Sequence, residues 1–563
     1  MTSAIANCLA RHVRLAALLT TLILTTALQA TLTTSALTGR VTVGDQPASG
    51  VTVSVSSPPL HGPRATTTDA HGRYWLGSLP PGVYDVTFSG PGLTSSTRPS
   101  VIDLGRVARA DAQLEASEDE ESVTSTKTTL GVSDTTAITT HFSSEELDRL
   151  PYERLAAAAI APGLRGHPVF VDDAPLAAPH LLGSEVVEEL TVFRGAVPVE
   201  MDAGYGGVVS AQMRSGTDAL FASLRDTYTT TDERGNFADA AAGGRVLADR
   251  LWMFGSLWGG DRSFARDVRG AAVKLTSQPG AAHRFSASWL GLDSSSHPRS
   301  DSVTAHYLGV ANESLLGEVI AGDDGGTAMV WLGAGEHLLR GGATRRGDLD
   351  TTAVFAADRW VRGRWTADAG LRHERSRGAS QSLPRASLTY DIRGDGRIAA
   401  AASYGEYAAP SAPGQVSRVT TLGMATAIGT TGAARIDALH TDSRFSRLDQ
   451  VQVDSRYRLF DRFEAGATYT WSDLEASRIA LPVATHAGRA WVGAQLPLGS
   501  KELGVTLVQR YDVGGWSTDA IAWLGVPLPR FGLTVAAEAT NLQARAPLTL
   551  GPRDVRLWAR VRI

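Results

Sequence analysis

The sequence predicts a mainly β protein. Its largest part is a transmembrane antiparallel β-barrel, with a small α/β unit and an N-terminal β-sandwich ahead of it. Three observations carry this. From residue 218 to 563, apolar and polar residues alternate in short runs separated by turn residues, which is how a strand with two different faces reads. No run in the chain reaches the roughly 18 apolar residues of a membrane helix. Eleven of the twelve tryptophans fall between Trp252 and Trp558, often at the ends of these runs, and membrane barrels gather aromatic residues in girdles at both interfaces.

The N-terminus reads as a secretory signal over residues 1–30. Arg11, His12 and Arg14 precede the apolar stretch from Leu15 to Leu28, and Ala27, Ala30 and Ala36 offer small residues for cleavage. Cys8 is the only cysteine and lies inside that segment. Disulfide frameworks, thiolate metal sites and cysteine nucleophiles are therefore excluded from the mature chain. The net charge of −5 gives no reason to expect a nucleic-acid partner.

Residues 37–115 read as the sandwich. "LTGRVTV" and "SGVTVSVSS" are alternating strands joined by a turn at Gly44 and Asp45. Asp69 and Gly72 mark a second turn, and Pro80-Pro81-Gly82 a third. Tyr84, Val86 and Phe88 then share one strand face. Residues 116–141 are acidic, then rich in serine and threonine, and read as a flexible linker.

Residues 142–217 form the small α/β unit. Ser143 or Ser144 caps a short helix with Glu145 and Glu146 in its first turn. Pro151 opens a second helix, stopped by Pro162 and Gly163. "HPVFVDDAPL" is a strand into a turn at Asp172, and "GSEVVEELTVFRG" a helix running into a strand. Gly204, Gly206 and Gly207 bend the chain, residues 208–214 make a strand, and Ser215-Gly216-Thr217 hand it on.

Two explanations compete for the alternation beyond Asp218. Soluble sandwiches would turn the apolar residues inward, whereas a membrane barrel would turn them out to lipid. "RWTADAGLRHE" sets Trp365, Ala367, Ala369 and Leu371 against Arg364, Thr366, Asp368 and Arg372. Charges at that density favour a wet interior over a dry core. The closing run sets Val555, Leu557, Ala559, Val561 and Ile563 against Arg556, Trp558, Arg560 and Arg562. A spanning strand takes about 9–11 residues, so about 22 strands fit if nearly all loops are short, and 16–20 fit with longer ones.

The combination resembles a TonB-dependent outer-membrane receptor of the Oar-like type. T-D-x-x-G-x-Y followed by L-P-P-G-x-Y-x-V is similar to the carboxypeptidase regulatory-like module, a transthyretin-like sandwich of the carbohydrate-binding-like class. "LDRLPYERLAAAAIAPGL", "VFVDDAPL" and "VVEELTVFRGAVPVEMDAGYGGVVSAQMRSGT" resemble successive motifs of that family's plug domain. "TTAVFAADRWVRGRWTADAGLRHE" and "LPRASLTYDIRGDGRIAAAASYGEY" resemble barrel segments. Plug and barrel are both shorter than usual, and loop is what the barrel lacks.

The resemblance implies active uptake of an unidentified small solute, oligosaccharide or peptide across an outer membrane. The sandwich and linker would face the periplasm, and the barrel would contact lipid. It implies TonB with its inner-membrane energising complex as a partner, and the barrel-assembly machinery acting on the closing strand. Glu121, Ser122, Val123, Thr124 and Ser125 resemble a degenerate TonB box, although the same residues read equally as plain linker. A structural or adhesive barrel without energised transport is the alternative. No cofactor, metal site or catalytic set is legible. Asp172-Asp173 reads as a turn before it reads as a metal pair, and the histidines lack ligand spacing.

Overall fold

The computed structural model describes residues 35–562, apart from 57–63, 103–106, 116–124, 127–137, 143–146, 148–168, 177–180, 202–206, 230–234, 394–397, 409–414, 477–482, 541–553 and one to three positions in shorter connections. The signal segment and the two helices expected between Ser143 and Gly163 lie outside the described residues, except for Leu147. Among the described residues no helix is long and apolar enough to cross a membrane.

Residues 35–114 form two packed sheets. One is built on Ser35–Val43 and Arg73–Leu79, the other on Thr52–Ser56, Gly82–Ser89 and Ser96–Ile102. Alternation sends Leu37, Val41 and Tyr74 into the core from one side, and Val53, Tyr84, Val86 and Phe88 join them from the other; all are fully or almost fully buried. The turns fall where the sequence marks them, with the Gly72 amide donating to the Asp69 carbonyl. Arg73 reaches Glu336 at 3.6 Å, so this unit touches one end of the barrel.

Twenty-two antiparallel strands, from Phe221–Thr229 to Asp554–Arg562, close into a barrel. The last strand pairs with the first from Ser223↔Arg562 to Thr229↔Arg556. The higher of the expected strand counts is correct. The side-chain faces divide as alternation requires: Leu371 is 49% exposed and Arg372 1%, while Leu557 is 49% exposed and Trp558 4%. An outer wall of exposed leucine and valine is stable only against lipid.

Aromatic residues rim this wall at both ends. Trp365 and Tyr390 pack with ring centres 4.4 Å apart and planes tilted by 37° near the end where the chain enters, and Tyr511 and Trp516 with centres 4.9 Å apart and planes tilted by 49° near the other. The tryptophans do not all serve as girdle, however. Trp258, Trp331 and Trp558 are buried facing inward, because alternation alone decides which face a residue takes.

We call the end at which the chain enters and leaves the barrel proximal. Five of the eleven distal connections, 263–264, 295–296, 323–324, 377–378 and 513–514, are two residues each; the other six run from three residues to the thirteen of 541–553, whereas no proximal connection exceeds six.

Candidate functional site

Inside the barrel lies a five-stranded sheet ordered Ile138–Phe142, Val187–Arg194, Gly207–Met213, Val169–Val171, Ala174–Pro175. Its central strand is buried on both faces, with Val208, Val209, Ala211 and Met213 at 3% exposure or less. One face packs on Phe237, Phe254, Trp258 and Leu290 of the wall. The other meets Met329, Trp331, Phe355 and Tyr407. The helix expected at the start of "GSEVVEELTVFRG" is instead a turn, in which the Val186 amide donates to the Gly183 carbonyl, and strand begins at Val187. Pairing on both sides of that strand outweighs local helix propensity.

Three polar clusters tie this sheet to the wall. Glu185 is fully buried and accepts bonds from Arg214 Nη1 at 3.1 Å, Ser223 Oγ at 3.0 Å and Arg560 Nη1 at 3.3 Å. Ser223 belongs to the first barrel strand and Arg560 to the last, so one carboxylate bridges the seam that closes the barrel. Beside it, Arg225 pairs with Glu538 at 3.3 Å and lies 4.2 Å over the Trp558 ring. Arg214 also reaches Glu188 at 3.2 Å.

The second cluster clasps residues 197–201. Arg340 pairs with Glu200 and with both oxygens of Asp368, each at 2.6 Å. Arg385 donates to the carbonyls of Met201 at 2.9 Å and Val197 at 3.3 Å, and Arg372 donates to that of Val199 at 3.4 Å. The Val197 amide donates to the Tyr407 hydroxyl at 2.7 Å. Four barrel strands thereby hold one short segment.

The third cluster centres on Asp172, whose φ of 44° is a left-handed conformation uncommon outside glycine and tolerated by aspartate. Its carboxylate accepts from the Met213 amide at 2.8 Å and pairs with Lys274 at 2.8 Å. Lys274 also donates to the Met213 carbonyl at 3.1 Å. Removing one partner of a pair this buried leaves the other charge uncompensated. Lys274→Met is therefore expected to weaken seating of the sheet by roughly 3 kcal/mol. Faster amide exchange over residues 208–213, with barrel strands unchanged, is the measurement. Unchanged exchange there contradicts the role given to the pair.

The other residues singled out from sequence are placed as follows. Glu121, Ser122, Val123 and Thr124 lie outside the described residues, as do Pro151, Pro162, Gly163, Gly204, Gly206 and Ile563. Ser125 forms a two-residue strand with Thr126, parallel to Ser96 and Thr97 at the edge of the sandwich. Gly207 begins the central luminal strand. Ser215, Gly216 and Thr217 lead out of it. A Cβ on Gly216 would lie 2.4 Å from the Met253 carbonyl oxygen, so the chain passes the wall where only glycine fits. Val555, Leu557 and Val561 face outward on the closing strand. Sequence reasoning missed Glu185 and Glu200, which lie in turns, and Arg340 and Arg385, which lie on inward faces of barrel strands. Among the described residues no group of three His, Cys, Asp or Glu side chains could hold a metal.

Comparison with known proteins agrees with this architecture. Residues 36–115 match the carboxypeptidase regulatory-like domain. A curated relative, the TonB-dependent transporter Oar of Myxococcus xanthus, is 25% identical over 264 residues, covering 37% of this chain and 25% of the relative. The match thus spans about a quarter of that relative's length. The structure is similar to BauA, the ferric preacinetobactin receptor of Acinetobacter baumannii, with a TM-score of 0.61, 13% identity, and 76% of this chain and 97% of that one covered. For the siderophore receptor PirA of Pseudomonas aeruginosa the TM-score is 0.59, with 13% identity and 76% and 99% covered. The chain is thus an outer-membrane barrel with the receptor fold, led by a carboxypeptidase regulatory-like domain and similar in sequence to a TonB-dependent transporter.

Proposed function

We propose that this protein takes up a small solute across the outer membrane, energised through TonB, with the luminal sheet as the plug of the pore. The supporting observation is the set of buried charges holding that sheet. Glu185, Glu200 and Asp172 each bond to the wall, so opening a path demands work that thermal motion rarely supplies. The proximal end then faces the periplasm, together with the sandwich that touches it at Glu336. The linker between sandwich and plug is the segment TonB would take, by adding it as a strand to an open sheet edge. Outward residues Val555, Leu557 and Val561 on the closing strand suit the barrel-assembly machinery.

Deleting residues 120–130 is expected to abolish crosslinking to TonB and TonB-dependent growth on the solute, while the barrel still shows heat-modifiable gel mobility. Unchanged crosslinking would overturn the proposal. The second reading, a structural or adhesive barrel, draws support from the five distal connections of only two residues, which offer no loop for capturing a ligand. It requires that phenotype to be indifferent to loss of TonB.

A further inference from the structure

Arginines stand on the lipid-facing side of the wall near its distal rim, and most have a carboxylate at hand. Arg299 bonds to Asp301 at 2.9 Å, Arg418 reaches Glu406 at 3.3 Å and Arg447 reaches Asp449 at 3.2 Å. Arg269 has Asp293 directly opposite on the next strand. Arg345 and Arg375 differ. Both are exposed, and among the described residues neither forms an ion pair. Asp350, in the distal connection beside them, pairs with neither.

Strand register brings the two together. Arg345 lies opposite Thr352, and Thr352 opposite Arg375. The arginines are therefore two strand spacings, about 10 Å, apart along one row. Ser380 continues that row. Alternation turns both arginines to the same side as Leu339, Val354 and Leu371, which are 43%, 56% and 49% exposed and mark the lipid face of these strands. His373, one alternation below Arg375, hydrogen-bonds to Ser382 and Ser380, each at 3.0 Å. A polar strip thus borders the apolar wall directly. Its height fits the membrane boundary. Trp365 marks the proximal interface on the strand that carries Arg375. Between them, a strand rising about 3.3 Å per residue and tilted about 40° climbs roughly 25 Å. That is about the height of a barrel's apolar band, so Arg375 stands at headgroup level on the distal side.

We propose that Arg345, Thr352 and Arg375 bind the headgroup of a distal-leaflet lipid that ends in an uncapped phosphate. Arginine side chains are long enough to bring both guanidiniums over Thr352. There two planar forks and a hydroxyl converge on one phosphate. The acyl chains of the same lipid then run down the wall over Val354 and Leu371. Free phosphate would meet the same cations but bury no apolar surface. Basic residues beside a membrane attract anionic headgroups. The carboxylate-paired arginines of the rim do so less, because their charge is already balanced. The site needs only a barrel placed in a membrane, so it stands or falls apart from the uptake reading.

The test is native mass spectrometry of the purified full chain in detergent, titrated with dioleoyl phosphatidic acid, dioleoyl phosphatidylcholine or inorganic phosphate. Phosphatidic acid, whose phosphate is uncapped, is expected to bind more tightly than phosphatidylcholine by roughly tenfold. Inorganic phosphate should not displace it. The double variant Arg345→Gln with Arg375→Gln should lose that preference. Arg418→Gln, which removes a carboxylate-paired arginine of the same rim, should keep it. Heat-modifiable mobility confirms that each variant is folded. Equal affinity for the two lipids, displacement by inorganic phosphate, or a preference that survives the double variant overturns the proposal.

Discussion

Glu185→Ala is expected to loosen the luminal sheet and the barrel seam together, because one carboxylate serves both. It removes the acceptor for Arg214, Ser223 and Arg560 and leaves two guanidinium groups facing each other in a site with almost no solvent. Breaking a buried pair from one side costs about 3–5 kcal/mol. Residues 187–194 and 207–213 should become accessible to protease and exchange amides faster. Cells carrying the variant should admit large antibiotics that the outer membrane normally excludes. Glu185→Gln keeps the shape and some hydrogen bonds, so it should fall between alanine and the native chain. If both variants keep native protection and impermeability, the carboxylate is not holding the sheet.

Arg340→Met is the complementary case, since it removes a cation shared by two acids. Glu200 is fully buried, and the Asp368 side chain is about a quarter exposed. With Arg340 gone, Glu200 has lost that cation deep in the lumen, and a loss of about 3–5 kcal/mol is expected. Asp368 can turn toward water and should matter less. A double-mutant cycle separates the two. Adding Glu200→Gln to Arg340→Met should recover much of the lost stability, because the uncompensated charge is gone, whereas adding Asp368→Asn should recover little. Denaturant titration in detergent, followed by tryptophan fluorescence, reads the difference. Equal recovery by both changes would mean that the two acids are equivalent, against their burial.

The contrast between these residues and the barrel itself shows what a single sequence conveys. Alternation such as Trp365, Ala367, Ala369, Leu371 against Thr366, Asp368, Arg372 is local, and it assigned the faces of strands correctly across the barrel. Length per strand then bounded the strand count. The clusters that seat the luminal sheet are not local. Arg560 meets Glu185 across 375 positions, and Arg385 meets Val197 across 188. Such pairs follow from closure of the sheet, which fixes which inward residue faces which, and no spacing rule reports that. Glu185 was further masked by its surroundings, because "GSEVVEEL" carries the acidic start of a helix while the fold places it in a turn.

The tight distal hairpins also determine what the exterior of the cell meets. A two-residue turn rises only about one strand step above its neighbours, so five of the eleven distal connections project almost nothing for an antibody or a phage tail to grip. The longer connections, led by the thirteen residues of 541–553, are where sequence change can alter what such a binder meets while the pore keeps its own chemistry.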